Sequence, residues 1–226
     1  MKITWIGQAG LLFETKDIKI LIDPYLSNSV AKIQPHNYRR QSIDEKFLKI
    51  KPDVIVITHN HADHLDKETL CNYLNDESSV TVLSPKGSWQ EIRKFGGNKN
   101  NYVLFNDCTT WSMGNISFRA VKAEHSDENA IGVIVQVEGK NYYVTGDTLY
   151  NEKVFESLPN LDIDMLFLPV NGIGNNMNFL DAEQFAERLN AKISVPIHYG
   201  MFDNIDVSKL KLKNKKILSI YKPIIL

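Results

Sequence analysis

Short apolar runs rich in Ile, Val, Leu and Phe recur along the chain, and turn-forming residues separate many of them. Runs of this kind are typical of β-strands. The connection Glu138-Gly139-Lys140-Asn141, between two β-rich runs, predicts a hairpin. The predicted strands cover residues 2–6, 11–14, 18–22, 53–58, 80–83, 102–105, 116–123, 131–137, 141–145, 164–168, 193–197 and 217–221.

A second pattern, with apolar residues at helical spacing, predicts fewer elements. For the last predicted helix, Asp181 is the expected N-cap and Gln184 occupies the capping-box position. Strands outnumber helices and do not alternate strictly with them, which predicts an α/β fold of two mixed β-sheets flanked by helices. The length of 226 residues favours one domain over residues 1–226. The predicted helices cover residues 66–76, 87–95, 151–157 and 181–190.

Composition and charge narrow the class of partner. Hydrophobic content of 43% and charged content of 23% are ordinary for a globular protein. The formal net charge of −1 argues against charge-driven binding to nucleic acid or to an anionic membrane, so a small-molecule substrate is expected. The local basic run at residues 209–216 is interpreted as a solvated edge strand whose lysines discourage edge pairing.

Three further features predict a cytoplasmic location. The first residues lack the apolar core of a signal peptide. No stretch approaches the roughly 20 apolar residues of a membrane span. Cys71 and Cys108 form no CxxC pair, which favours a reducing compartment.

The densest group of candidate metal ligands has the pattern His-x-His-x-Asp-His and follows the predicted strand 53–58. The chain has only six histidines, so three of them within this run are unlikely by chance. His59 and His61 stand two residues apart on an extended segment and should point the same way, toward one ion. Asp63 and His64 are expected to open the next helix and to face elsewhere, which favours a second ion beside the first. Imidazole and carboxylate are ligands for Zn²⁺, Mn²⁺ and Fe²⁺.

Three more candidate ligands, His125, Asp147 and His198, each stand just beyond a predicted strand. Taken singly, each is weak evidence, because a lone His after a strand is more often a satisfied polar residue than a ligand. With these residues and the histidine run, five of the six histidines are candidate ligands, and only His36 is not.

The full pattern resembles the metallo-β-lactamase superfamily: Thr-His-x-His-x-Asp-His, then a His, then Thr-Gly-Asp-Thr, then Pro-Ile-His, with Ile22-Asp23-Pro24 matching the early aspartate motif. The resemblance implies an αββα sandwich with the site at one edge, where the loops leaving both sheets meet. It implies two divalent metal ions, zinc or manganese, with iron as a third candidate. It also implies that His59, His61 and His125 bind one ion, that Asp63, His64 and His198 bind the other, that Asp147 bridges them, and that Asp23 orients a ligand by a hydrogen bond.

A finer resemblance concerns the ascorbate-6-phosphate lactonase branch. It rests on Trp5-Ile6-Gly7-Gln8-Ala9-Gly10, Thr145-Gly146-Asp147-Thr148-Leu149-Tyr150 and Leu189-Asn190-Ala191-Lys192 followed by Pro196-Ile197-His198. That branch implies a cytoplasmic enzyme that forms homo-oligomers and in which manganese is often favoured. The segment between Asp23 and the histidine run is shorter here than in that branch, and substrate specificity tends to reside in such loops.

The implied chemistry is hydrolysis without a protein nucleophile. A hydroxide that bridges two divalent ions suffices, because coordination lowers the pKa of water to roughly 7 in favourable sites. Asp63 and Asp147 are the predicted catalytic residues, which orient this hydroxide while they bind metal. Two divalent ions, two carboxylates and one hydroxide leave about one positive charge, which suits an anionic lactone, ester or phosphoester.

Two predicted loops, residues 25–46 and 171–178, should shape the substrate pocket. One hypothesis is that Arg39 or Arg40 clamps a substrate phosphate; the alternative is that both are solvated loop charges. The candidate substrate-binding residues are Gln8, His36, Arg39, Arg40, Asn171 and Tyr199.

Other functions on the same fold stay open. The first alternative is a phosphodiesterase or nuclease, against which the near-neutral charge and the lack of an inserted nucleic-acid-clamping domain weigh. A di-iron redox module is the second, and His61 argues against it because that branch has a carboxylate there. A metal-binding scaffold without catalysis is the third, and the complete ligand set argues against it.

Overall fold

The computed structural model describes residues 1–225, and these contain thirteen strands, five α-helices and two short 3₁₀ segments. The strands are β1 (Lys2–Gly7), β2 (Gly10–Glu14), β3 (Lys19–Ile22), β4 (Val54–Val56), β5 (Thr81–Ser84), β6 (Asn101–Leu104), β7 (Thr110–Met113), β8 (Ile116–Lys122), β9 (Ile131–Val137), β10 (Lys140–Val144), β11 (Met165–Pro169), β12 (Ile193–Ile197) and β13 (Pro223–Ile225). The helices are α1 (Ser29–Ile33), α2 (Lys67–Leu74), α3 (Lys86–Ile92), α4 (Glu152–Ser157) and α5 (Phe179–Leu189).

The described chain divides into two compact units, each built on one mixed sheet. The first unit comprises residues 1–104, 200–204 and those from 218 onward, and the second comprises 105–199 and 205–217. The first sheet has the order β13-β1-β2-β3-β4-β5-β6, and the second has the order β12-β11-β10-β9-β8-β7. Two mixed sheets with accompanying helices confirm the predicted fold class.

In the first unit, β3, β4, β5 and β6 run parallel to one another, so their carboxyl ends lie at one edge of the sheet. Both faces of the central strands are buried, which explains their unbroken apolar sequences. Helix α2 packs on this sheet through Leu70, Tyr73 and Leu74, which join a buried cluster with Ile55 and Val82.

In the second unit, β10, β11 and β12 are parallel, while β9 runs antiparallel to β8 and to β10. The carboxyl ends of β8, β10, β11 and β12 therefore lie at the same edge. Helix α5 buries Ala182, Phe185 and Ala186 against Tyr143 and Leu166 in one core cluster. None of the helices among residues 1–225 combines the length and the apolar character that crossing a membrane requires.

The predicted strand at 217–221 is wrong. The chain turns there: Lys222 N donates to Ser219 O, and Tyr221 has a left-handed conformation. The strand that pairs with the outer side of β1, away from β2, is β13. The sequence pattern also missed β7, because its residues alternate between exposed and half-buried and form no apolar run. Helix α1, five residues long, was likewise not predicted and lies within the predicted loop 25–46.

The basic run at 209–216 is not an edge strand. Leu210 and Leu212 are buried in the core of the second unit, and the lysines that alternate with them in the sequence are exposed. The Lys215 ammonium donates to the carbonyl oxygens of Val207 and Ser208 at 3.0 and 3.2 Å, and to that of Leu210. This lysine therefore satisfies backbone acceptors of a 3₁₀ turn instead of lying in solvent.

The N-cap of helix α5 lies three residues before Asp181, the predicted N-cap. Asn178 is the N-cap, its side chain accepts from Asp181 N at 3.1 Å, and Asp181 fills the reciprocal capping-box position.

Asn178→Ala should therefore lower the free energy of unfolding by about 1 kcal/mol, whereas Gln184→Ala should change it by less than about 0.5 kcal/mol. Urea denaturation of the two variants measures the difference; equal losses would contradict this start of the helix.

Candidate metal centre

The candidate ligands of the first unit stand at the carboxyl ends of adjacent parallel strands. Asp23 follows β3 directly, and the run from Thr58 to His64 begins two residues after β4. Asp23 N donates to Val56 O at 3.0 Å, which ties the end of β3 to β4. The topology thus brings the early aspartate and the histidine run together, as parallel neighbours require.

Three imidazole rings of the run lie against one another. The ring centroids of His59 and His61 are 4.6 Å apart, and those of His59 and His64 are 4.0 Å apart. His59 and His64 are fully buried, while His61 and Asp63 are partly exposed. Helix α2 begins at Lys67 with Asp66 as N-cap, within the predicted helix 66–76. Asp63 and His64 lie in the turn before it and do not open it, and the expectation that His64 faces away from His59 is wrong, because their rings are in contact.

A buried hydrogen-bond network fixes which nitrogen of each ring faces outward. Asp23 accepts from Thr58 N at 2.8 Å, from Thr58 Oγ1 at 2.6 Å and from His64 Nδ1 at 2.7 Å. Since a carboxylate only accepts, His64 carries its proton on Nδ1 and offers Nε2 as a ligand. Thr58 gives its single hydroxyl proton to Asp23, so His59 Nδ1, 3.0 Å from Thr58 Oγ1, is also the donor. His59 therefore also offers Nε2.

Gln8 contacts a candidate ligand directly. Its side-chain Nε2 donates to Asp63 Oδ2 at 2.8 Å, and its backbone carbonyl oxygen accepts from Trp5 Nε1 at 2.8 Å. Gln8 is 2% exposed, so this amide is not a surface group. Gln8, a candidate substrate-binding residue by sequence, thus lies against a carboxylate of the ligand run.

The second unit supplies the remaining candidates from the ends of its own strands. Asp147 follows β10, and His198 follows β12; both are at most 5% exposed. His198 Nε2 lies 3.2 Å from Asp147 Oδ2. His125, beyond β8, is half-exposed, and its Nδ1 donates to the carbonyl oxygen of Asn175 at 3.2 Å, which again leaves Nε2 as the outward nitrogen.

The loop at 171–178 is fastened to these candidates. Asn176 is 4% exposed; its Nδ2 donates to Asp147 Oδ2 at 2.8 Å, and its Oδ1 accepts from Thr148 N at 3.0 Å. The fully buried Met177 donates its N–H to Thr148 O, and Gly172 N donates to Met177 O. The sequence predicted an irregular loop here, but it did not single out Asn176, because one asparagine in an Asn-rich loop carries no distinguishing local signal.

Three site residues have left-handed backbones although none is glycine. Gln8, Asp23 and His198, with φ of 50°, 43° and 60°, each stand directly after a strand. This conformation is costly for residues with a Cβ and persists where the surroundings enforce it, often at functional sites. Each turn redirects the chain as it leaves the sheet.

The two predicted clamp arginines have different surroundings. The Arg39 guanidinium donates to Tyr25 O at 2.7 Å, to Tyr221 Oη at 2.7 Å and to Gln41 O at 2.8 Å. Arg40 is exposed, and its guanidinium lies 4.7 Å from the ring centroid of Tyr38. Arg39 therefore fastens the 25–46 loop to the rest of its unit.

The other predicted substrate residues lie in varied settings. His36 is exposed on the 25–46 loop. Asn171 follows β11, and its buried Oδ1 accepts no hydrogen bond from the residues that the structure describes. Burial raises the pKa of the Tyr199 hydroxyl, and it raises the pKa of Tyr25 to about 12, so both are neutral donors near pH 7.

The donor set of the first unit fits a divalent ion. His59 with His61, His59 with His64, and Asp63 with His64 each offer ligand atoms within 4.8 Å of one another. Two donors that share one zinc ion, each at about 2.0–2.2 Å, lie at most about 4.4 Å apart, and His64 Nε2 and Asp63 Oδ2 are 3.9 Å apart. Nitrogen and oxygen donors without sulfur suit Zn²⁺, Mn²⁺ or Fe²⁺.

Comparison with known proteins gives the family. Residues 2–198 match the family model described as the beta-lactamase superfamily domain. A UPF0173 metal-dependent hydrolase of Carboxydothermus hydrogenoformans is 30% identical over 235 residues, which cover 95% of this chain and 92% of that protein. The chain belongs to the UPF0173 metal-dependent hydrolases of the β-lactamase superfamily.

Other relatives of this UPF0173 hydrolase agree. A UPF0173 metal-dependent hydrolase of Staphylococcus saprophyticus is 28% identical, with 94% of this chain and 92% of that protein covered. Among solved structures, Igni18, a metallo hydrolase from the archaeon Ignicoccus hospitalis, superposes with a TM-score of 0.79 at 18% identity, covering 99% of this chain and 97% of that one. This similarity confirms the metallo-β-lactamase fold that the motifs predicted.

Proposed function

We propose that this UPF0173 hydrolase is a binuclear enzyme that hydrolyses a small anionic metabolite, a lactone or an ester. In this proposal His59, His61 and His125 bind one ion, Asp63, His64 and His198 bind the other, and Asp147 is shared. The order of these residues along the chain, and the family to which the chain belongs, support the assignment.

One observation carries the proposal: the buried network of Asp23, Thr58, His59 and His64. Buried polar networks are costly unless every member is paired. This network commits the Nδ1 atoms of two rings and so directs their Nε2 atoms outward. Partners of this kind fix the tautomer and raise the basicity of metal-binding histidines. A purely structural core would be stabilised more simply by apolar side chains.

Divalent ions in such a site supply Lewis-acid activation of water and of a substrate oxygen. The protein supplies the positioning. Asp63 and Asp147, each held by a side-chain amide, would orient the attacking water by accepting hydrogen bonds from it. His61 and His125 are both partly exposed, so solvent reaches each of these candidate ligands.

An anionic substrate is favoured by Arg40. Its backbone N–H donates to Met201 O at 3.0 Å, and Met201 lies three residues after His198 in the sequence. The exposed guanidinium next to Tyr38 can donate two hydrogen bonds to a phosphate or a carboxylate in a bidentate contact. Arg39 is already committed to three acceptors, so Arg40 is the proposed clamp.

Separate substitution of the two arginines tests this division. Arg40→Ala should raise KM for an anionic substrate about ten- to a hundred-fold with little change in kcat, because one charge-assisted contact of about 1.5–3 kcal/mol is lost. Arg39→Ala should instead lower the melting temperature, because Tyr25 O and Tyr221 Oη lose their donor. If Arg40→Ala leaves the preference for an anionic over a neutral analogue unchanged, Arg40 is an ordinary surface charge.

The reaction class is tested with protein stripped of metal by a chelator and reloaded with Zn²⁺ or Mn²⁺. The panel pairs phosphorylated and dephosphorylated lactones with carboxylate esters and phosphodiesters. Metal-dependent turnover of a lactone or ester, faster for its anionic form, supports the proposal. Turnover confined to phosphodiesters would replace it with the phosphodiesterase alternative, and turnover that survives chelation would refute the metal-dependent mechanism.

The setting of the enzyme is also a proposal. Both cysteines are free thiols, and Cys108 is exposed, which suits a reducing compartment such as the cytoplasm. The proposed partner is a small molecule, without nucleic acid or membrane. Association into homo-oligomers rests on the resemblance to the ascorbate-6-phosphate lactonase branch and stays a prediction.

A further inference from the structure

Each of the two carboxylates among the candidate ligands has the same kind of neighbour. Gln8 Nε2 donates to Asp63 Oδ2 at 2.8 Å in the first unit, and Asn176 Nδ2 donates to Asp147 Oδ2 at 2.8 Å in the second. Both amides are buried, with 2% and 4% of their surface exposed. We propose that Gln8 and Asn176 are positioning residues that hold Asp63 and Asp147 in the orientation required for metal binding.

An uncharged donor suits this task better than a cationic one. A lysine or arginine beside the carboxylate would neutralise it and would repel a divalent cation. A primary amide donates one hydrogen bond, fixes the carboxylate plane and leaves the negative charge for the ion. In both contacts the amide donates to the Oδ2 atom of the carboxylate.

Both residues are themselves held in place. The backbone carbonyl oxygen of Gln8 accepts from the indole Nε1 of Trp5, and the φ of 50° at Gln8 fixes where its side chain leaves the backbone. The Oδ1 atom of Asn176 accepts from Thr148 N, one residue after Asp147. A positioning group that is locked in this way loses little additional freedom when the ion binds.

The Asn176 loop also reaches a second candidate ligand. The carbonyl oxygen of the preceding residue, Asn175, accepts from His125 Nδ1 at 3.2 Å. Two successive residues therefore orient His125 and Asp147, and the buried Met177 anchors them to Thr148. The loop that sequence assigned to the substrate pocket acts here as a support for ligands.

The positioning role of Gln8 and Asn176 rests on the proposed function. Its test measures metal affinity, which does not depend on knowing the substrate. The variants are Gln8→Met, which keeps the side-chain length, and Asn176→Ala. The matched controls are Gln136→Met, whose amide contacts Ser117 and Asn141, and Asn151→Ala, which removes the N-cap of α4. Neither control residue contacts a candidate ligand in these hydrogen bonds. Zn²⁺ affinity is measured by competition with a chromophoric chelator, and the melting temperature is recorded for the metal-free proteins.

We expect Gln8→Met and Asn176→Ala each to weaken Zn²⁺ binding about 10–100-fold, the usual effect of removing a partner of a metal ligand. The controls should lower the melting temperature of the metal-free protein but keep the wild-type affinity. Wild-type affinity in folded Gln8→Met would overturn the proposal for Gln8, and this variant stays informative if Asn176→Ala fails to fold. Wild-type protein that binds no Zn²⁺ would instead refute the proposed function.

Discussion

Asp147→Asn should lower kcat/KM by more than about a hundred-fold while the protein stays folded. Removal of a partner of a metal ligand alone costs about 10–100-fold, and Asp147 is the proposed ligand shared by both ions. Asparagine has nearly the same volume and keeps an acceptor for the Asn176 amide, so the buried contact at 2.8 Å can persist. The measurement is steady-state kinetics with saturating metal, together with the circular dichroism spectrum.

Asp147→Ala is expected to lose activity to the same extent and also to lower stability. It leaves the buried Nδ2 of Asn176 without its acceptor, which costs about 1–3 kcal/mol. Asp162→Asn, at a distant exposed carboxylate, is the matched control and should behave as wild type. Near-normal turnover of Asp147→Asn at saturating metal would show that this carboxylate is not part of the reacting centre.

Asp23→Ala should give the largest loss of stability of the variants considered, about 3–5 kcal/mol. The carboxylate is fully buried and accepts from Thr58 N, Thr58 Oγ1 and His64 Nδ1, so its removal leaves three buried donors without an acceptor. Alanine also tolerates the left-handed φ of 43° less well than aspartate. Thermal denaturation should show a fall of at least about 6 °C, given about 2–4 °C per kcal/mol for a chain of this length.

Asp23→Asn separates the positioning role from the structural one. Asparagine adopts the left-handed conformation readily and keeps one acceptor oxygen, so most of the stability should return. The amide lacks the negative charge that raises the basicity of the His64 ring, even where its oxygen still accepts from His64 Nδ1, so Zn²⁺ affinity should stay about 10–100-fold below wild type. Recovery of both stability and affinity in Asp23→Asn would mean that the negative charge of Asp23 is dispensable for metal binding.

Sequence reasoning succeeded where the information is local. The buried strand before the histidine run, and the candidate ligands after β8, β10 and β12, follow from apolar runs that end in a polar residue. The fold class follows from the number and order of such runs. Their spacing along the chain was also sufficient for the family resemblance, which the matching family model bears out.

Sequence reasoning failed where the deciding contacts join residues that are distant in the sequence. Gln8 meets Asp63 across 55 positions, and Asn176 meets Asp147 across 29, so neither pair has a local pattern. The segment 217–221 looks like a strand because it is apolar, but a turn at Ser219–Lys222 moves the pairing to β13. Asp181 looked like an N-cap, yet Asn178 precedes it and takes that position while Asp181 becomes its capping partner.

In the proposed function, the seven candidate ligands together hold two divalent ions. Elemental analysis of protein titrated with Zn²⁺ or Mn²⁺ and then freed of excess metal tests this directly. We expect two ions per chain, falling to one or fewer in His64→Ala and in Asp147→Ala. A single ion that persists under excess metal, unchanged by His64→Ala, would contradict it.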